Sequence, residues 1–201
     1  MSPVLILAAA YLIGAIPFGY VLVKMKRGED VRVLGSGNIG ATNVLRTTGR
    51  ALGIATLLLD IGKGVFAVWL ADHFLEGSVQ WMSLTALAVM AGHAFPIFLK
   101  FHGGKAVASF VGAFLYLTPL PMVTILLVFV ITVGVTRFIS LGSVLAAGFF
   151  PIAVLLIEHP PQIVVLCAAI AGLFIVWRHR SNLQRIHAGN ENIFSLGSRK
   201  R

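Results

Sequence analysis

Residues 3–23, PVLILAAAYLIGAIPFGYVLV, contain no charged side chain. Such a run matches the roughly 20 apolar residues that a helix needs to cross the bilayer core, and this reading decides the fold. Residues 51–71 and 81–99 qualify in the same way with little interruption. Two longer apolar regions follow. Residues 106–136 are broken by Thr118, Pro119, Leu120 and Pro121, and residues 143–177 by Glu158, His159, Pro160 and Pro161. Each therefore predicts a hairpin of two short helices, tilted or re-entrant where a piece is too short to span. The expected fold is an all-α integral membrane protein, a bundle of about seven transmembrane helices in a single polytopic domain over residues 1–201. Composition agrees: 58% of the 201 residues are hydrophobic, 11% are charged and the mean hydropathy is +0.92, whereas soluble domains carry about 25% charged residues.

Lysine and arginine accumulate in cytoplasmic loops, and here all of them outside the apolar segments, that is all but Lys63, sort to alternate loops. Lys24, Lys26, Arg27, Arg32, Arg46 and Arg50 lie in residues 24–50, Lys100 and Lys105 in 100–105, Arg137 in the next alternate loop, and the remainder from Arg178 to Arg201. The opposite loops, 72–80, 118–121 and 158–161, hold Asp72, Glu76 and Glu158 and no Lys or Arg. The amino terminus is thus expected outside and the carboxyl terminus in the cytoplasm. No signal peptide is expected, because the basic residues follow the first apolar run. Topology and anionic lipid account for a net charge of +9. Nucleic acid binding is not expected, since no soluble module is long enough to host it. Cys167, the single cysteine, lies in the last apolar segment and reads as packing, with no disulfide or thiolate chemistry. The 21 glycines suit close helix contact in lipid.

Three polar clusters interrupt the apolar chain, all on the predicted cytoplasmic face. The first, GSGNIGATNVLRTTGR at 35–50, buries almost no apolar surface, so water, an anion or a ligand must satisfy it. Its G-x-G-x-x-G spacing, with Asp60 beyond, is not a dinucleotide fingerprint, which requires a strand before it and a helix after it in a soluble βαβ unit. The local physics still favours an anion: glycines let N–H groups converge, Ser36, Asn38, Thr42 and Asn43 add neutral partners, and Arg46 can bind phosphate through two parallel hydrogen bonds. A solvated turn is the alternative. The second cluster, GHAFPIFLKFHGGK at 92–105, supplies Gly103, Gly104 and Lys105. Free N–H groups and the positive end of a helix would again suit an anion, against an ordinary turn with a lysine that sets topology. His93 and Phe95 read as packing or interfacial groups. The third, WRHRSNLQRIHAGNE at 177–191, places Arg178, His179, Asn182 and Arg185 within an arc of about 120° if the last helix continues. An interfacial anchor needs the cations but not His179 and Asn182 on that arc. Ser140 and Ser143, near Arg137, read as helix caps. Asp60 and Lys63, three residues apart, predict a structural ion pair facing the bundle interior.

These clusters imply a phosphorylated or otherwise anionic substrate met at the membrane surface, with the bundle accommodating a lipid tail. The chain here resembles the PlsY-type glycerol-3-phosphate acyltransferases of bacterial phospholipid synthesis, through GSGNIGATNVLR at 35–46, DIGKG at 60–64, GHAFPIF and GGKAVAS within 92–109, and RHRSNLQR with Gly189 and Glu191. The resemblance implies transfer of a fatty acyl group from acyl phosphate to the 1-hydroxyl of glycerol 3-phosphate, giving lysophosphatidic acid, in the bacterial cytoplasmic (inner) membrane. It implies Ser36, Gly37, Asn38, Gly40, Thr42, Asn43, Arg46, Gly103, Gly104, Arg185 and Glu191 as substrate-binding residues, and Lys105, Ser143, His179 and Asn182 as catalytic ones. It also implies a soluble acyl-phosphate synthase as the source of the donor. The sequence departs from the family pattern at Ala106, where a glycine is usual, and at His102, where a lysine is common, which puts the packing at that helix start in question. No cofactor or metal is expected, the six histidines being scattered. An activated donor needs no enzyme nucleophile, and no Ser-His-acid signature is visible. His179 or a substrate phosphate is the expected proton acceptor. The rival reading is a transporter of a phosphorylated or anionic solute, which requires polar residues through the full depth of the bundle.

Overall fold

The computed structural model describes residues 1–194; Arg199, Lys200 and Arg201, counted above among the cytoplasmic cations, lie outside the described residues. No β-strand occurs among the described residues. The chain forms two compact units, Met1–Leu117 and Thr118–Arg201.

The first unit opens with α1 (Pro3–Ala15) and α2 (Phe18–Arg27), which together make one apolar stretch of 25 residues. The sequence reads as a single helix here, but Pro17 has no N–H to donate and the helix breaks at Ile16–Pro17. A short helix, α3 (Ala41–Thr48), leads into α4 (Arg50–Phe74) and α5 (Val79–Ala94), which a 3₁₀ turn at Ile97–Leu99 extends. The unit closes on α6 (Val107–Leu117). With eleven residues, α6 is about 16 Å long, half of a hydrocarbon core. Small residues let these helices touch backbone to backbone. A side chain at Gly64 of α4 would strike the Ser109 carbonyl of α6, and one at Gly112 of α6 would strike the Ile61 carbonyl of α4. Gly14 and Gly92 make the same reciprocal approach between α1 and α5. In lipid no hydrophobic force drives helices together, so this close packing has to.

The second unit contains α7 (Pro119–Thr136), α8 (Ile139–Glu158), α9 (Gln162–Arg178) and α10 (Arg180–His187). The breaks fall where the prolines predict: α6 ends at Leu117 and α7 starts at Pro119, while His159, Pro160 and Pro161 separate α8 from α9. Among the described residues five stretches are long and apolar enough to cross a membrane, or six if the bent α9–α10 pair is one span. The protein is therefore an all-α, multi-pass integral membrane protein. The third cluster departs from expectation. The last helix does not continue but bends by 50° between α9 and α10 at His179, so the 120° arc does not form. Asn182 and Arg185 are placed by α10 instead.

Candidate active site

In the first unit, the glycine-rich segment is folded around one side chain. Asn43, 2% exposed on α3, accepts from the Ser36 N–H at 2.9 Å through Oδ1 and donates through Nδ2 to the carbonyls of Leu34 (3.0 Å), Asn38 (2.8 Å) and, more weakly, Val31 (3.4 Å). Gly35 and Gly37 take φ of +55° and +70°, and a Cβ at Gly35 would collide with Asn43 Oδ1, so glycine is required there twice over. Beneath the segment, Val23, Val31, Ile39, Val44 and Leu99 form a buried apolar cluster, and Arg27 Nη2 donates to the Thr48 carbonyl at the end of α3 at 2.8 Å. Asp30 and Arg32 flank it as an exposed pair at 2.6 Å, and the bond from Arg32 holds the Asp30 carboxyl below its ordinary value against a small opposing effect of burial.

This architecture redistributes the expected roles. Asn43 spends its polar atoms on the loop, so its contribution is the loop's shape. The N–H groups of Ser36, Gly37 and Gly40 are occupied by Asn43, Leu34 and Asn38. What faces outward is the Ser36 side chain and, on one face of α3, the side chains of Thr42 and Arg46.

The second cluster folds back on α5. Gly103 N–H donates to the Ala94 carbonyl at 3.2 Å and Gly104 N–H to the His93 carbonyl at 3.1 Å. The free-amide role expected of these glycines is thus corrected: their N–H groups are used to close the turn. Their lack of side chains matters instead, because a Cβ at Gly103 would meet the His93 carbonyl and one at Gly104 would fall on the His93 ring. Ala106 is fully buried with φ of +61°. An L-residue is strained in that conformation, at a cost of about 1–2 kcal/mol.

His93, read from sequence as packing, belongs to a buried polar group. Asp60 and Lys63 of α4 pair at 2.8 Å with side chains 3% exposed. Lys63 also donates to the Ile16 carbonyl at the α1–α2 break, at 2.9 Å. His93 Nδ1 lies 3.6 Å from Asp60 Oδ1 and 3.3 Å from Ser109 Oγ. A serine, a histidine and an aspartate therefore do meet, but Asp60 and Ser109 address the same ring nitrogen. A relay needs them on opposite nitrogens, so this is not a nucleophilic triad.

In the second unit, Glu191 gathers the third cluster. Its Oε1 accepts from Asn182 Nδ2 at 2.7 Å and Ser140 Oγ at 3.0 Å, and its Oε2 from Arg185 Nε at 2.8 Å. Its side chain is 6% exposed. Burial pushes the carboxyl up, but the bonds from Asn182, Ser140 and Arg185 outweigh it and leave Glu191 below the ordinary glutamate value. Ser140 is therefore a partner of Glu191, and Ser143 donates to the Ile139 carbonyl at 2.9 Å; neither caps α8, whose N-cap position is Phe138. His179, buried at the bend, directs Nδ1 at the Ile175 carbonyl at 2.8 Å. A carbonyl only accepts, so Nδ1 carries a proton, and a neutral ring in this tautomer has its lone pair on Nε2. Among the described residues no group of three or more His, Cys, Asp or Glu is placed to hold a metal.

The sequence matches a family described as glycerol-3-phosphate acyltransferase over residues 4–189. It is 44% identical to a glycerol-3-phosphate acyltransferase of Desulforamulus reducens, covering 100% of this chain and 98% of the relative, and 48% identical to one of Geobacter metallireducens, covering 95% and 97%. Its fold matches crystal structures of PlsY, an integral membrane glycerol 3-phosphate acyltransferase. The glycerol 3-phosphate form aligns with a TM-score of 0.91 at 34% identity, covering 97% of this chain and 96% of that one. The lysophosphatidic acid form aligns with a TM-score of 0.87 at 32% identity, with the same coverage.

Proposed function

The chain belongs to the glycerol-3-phosphate acyltransferase family, and from that membership we propose how its residues serve the reaction. It is a membrane acyltransferase that transfers a fatty acyl group to glycerol 3-phosphate, giving lysophosphatidic acid. The donor is a fatty acyl phosphate, supplied by a soluble acyl-phosphate synthase, and the acceptor is the 1-hydroxyl. The protein lies in the bacterial cytoplasmic membrane with its three polar motifs toward the cytoplasm, as the sorting of Lys and Arg among its loops supports. The observation that carries the reading is the likeness along nearly the whole chain to structures in glycerol 3-phosphate and lysophosphatidic acid forms.

In the transfer, the glycerol oxygen attacks the acyl carbon and forms the ester bond. The bond from that carbon to the phosphate oxygen breaks, and the electron pair leaves on inorganic phosphate. His179 Nε2, the basic nitrogen of the neutral ring, takes the hydroxyl proton; Asn182 stabilises charge on the reacting oxygens and Ser143 lines the site, while Lys105 neutralises charge on substrate phosphate. Ser36, Gly37, Asn38, Gly40, Thr42, Asn43 and Arg46 form or shape one phosphate cradle. Gly103 and Gly104 shape the turn that presents Lys105, and Arg185, oriented by Glu191, offers its terminal guanidinium nitrogens to phosphate. Holding the substrates and stabilising the oxyanion contribute several kcal/mol each.

The test uses purified protein in detergent with labelled glycerol 3-phosphate, comparing acyl phosphate, acyl-CoA and acyl-carrier protein as donors. Lysophosphatidic acid from acyl phosphate alone is expected; product from a thioester donor instead would overturn the donor assignment. Substituting His179 by Ala is expected to lower kcat by about 100-fold or more, in the range of general base catalysis. A loss of only a fewfold assigns the proton to a substrate phosphate.

A further inference from the structure

Lys105 is followed by a strained residue and preceded by two glycines. Against them lies the ring of His93. It packs where a Gly104 side chain would be, its own carbonyl accepts the Gly104 N–H at 3.1 Å, and its Nδ1 is held from the other side by Ser109 Oγ and Asp60. Asp60 in turn is paired with Lys63, which anchors to the Ile16 carbonyl at the helix break. All four side chains are buried. Asp60 Oδ1 has the Lys63 ammonium at 2.8 Å and the His93 ring nitrogen Nδ1 at 3.6 Å.

We propose that His93 is a positioning residue for Lys105: clamped by Ser109 and the Asp60–Lys63 pair, its ring is the wall against which Gly103 and Gly104 fold, and this fixes where the Lys105 ammonium is presented to substrate phosphate. The proposal rests on the assignment of Lys105 to phosphate made above. It gives a charge pair within the apolar bundle a task in the reaction, and it explains why two consecutive glycines precede the lysine. A larger residue at either position would displace the ring or the α5 backbone.

A double-mutant cycle tests it, because groups that act through one another are not additive. Full-length protein carrying His93→Phe, Lys105→Ala or both is assayed for kcat and for KM of glycerol 3-phosphate and acyl phosphate. His93→Phe keeps an aromatic ring but removes Nδ1. It is expected to lower kcat/KM about tenfold in the wild-type background and by less than twofold in the Lys105→Ala background. Multiplicative losses would overturn the positioning role and leave the assignment of Lys105 intact. A Lys105→Ala enzyme with normal kinetics would overturn both. If His93→Phe fails to fold, Ser109→Ala, which removes one contact on Nδ1, replaces it in the same cycle with an expected loss of about threefold that vanishes in the Lys105→Ala background; a loss that persists there overturns the proposal.

Discussion

The segments 35–43 and 179–191 both pull a polar stretch into order around one buried side chain, yet they use opposite chemistry. Asn43 is neutral and works in both directions, accepting one N–H and donating to carbonyls. Glu191 is an anion that only accepts, and it collects donors from three residues. The difference follows from what each has to organise. A glycine loop consists of backbone, with N–H and C=O groups to satisfy together, and only an amide offers both functions in one plane. Between α8 and α10 there are side chains that all donate, and a carboxylate satisfies them at once. A neutral centre also leaves the charge near the loop to Arg46, whereas Glu191 offsets part of the charge on Arg185.

Changing the sign of the neutral centre is the harshest test of this contrast. Asn43→Asp conserves shape but turns the Nδ2 donor into an oxygen facing the Leu34 and Asn38 carbonyls. Each orphaned buried partner costs about 1–3 kcal/mol, so activity is expected to fall about 100-fold or more, with a lower unfolding temperature in detergent. Kinetics near normal would mean that the loop does not depend on Asn43. The converse change is milder. In Glu191→Gln the amide oxygen still accepts from Asn182 and Ser140, while the new NH₂ group opposes Arg185 Nε–H. About a tenfold fall in kcat/KM is expected, mainly through KM for the phosphate substrate that Arg185 binds. An equal fall in kcat with KM unchanged would show that Glu191 serves the chemical step through Asn182 instead.

These centres also mark the limit of what the sequence discloses. The helices were legible because apolar runs of membrane length, broken by Thr118–Pro121 and Glu158–Pro161, have few alternatives in lipid. The Asp60–Lys63 pair was legible because three residues is a helical spacing. The break at Pro17 and the bend at His179 were not: a proline is tolerated in a membrane helix, and RHRSN contains no glycine or proline to announce a bend. The residues of the polar motifs could be named, but not who holds whom. Asn43 looked like a substrate ligand because nothing in its spacing says that the loop folds around it; Ser140 looked like a cap and His93 like packing because their partners are distant in sequence: Glu191 lies 51 positions from Ser140, and Ser109 lies 16 from His93. The departure at Ala106 was visible, whereas its left-handed backbone was not.

The smallest effect is expected from acid, and it separates the two centres by whether each can titrate. Asn43 has no titrating group, so its bonds are indifferent to pH. Glu191 is held below its ordinary value when folded, and an unfolded glutamate titrates near about 4.3. A depressed carboxyl stabilises the folded state fully above the unfolded value and loses that contribution as pH falls through the folded one. The deficit of Glu191→Gln relative to wild type, read as a difference in unfolding temperature in detergent, should therefore be constant from pH 7 to about 5 and shrink steadily below about 4.3. Asp30, also depressed by its Arg32 partner, titrates alike in both proteins and cancels in the difference. Asn43→Ala, measured in parallel, should keep its deficit across the same range. A Glu191→Gln deficit that stays constant into acid would mean that the carboxylate's shape, rather than its charge, holds Asn182, Ser140 and Arg185 together, and the contrast between a neutral and an ionic centre would then reduce to one of geometry.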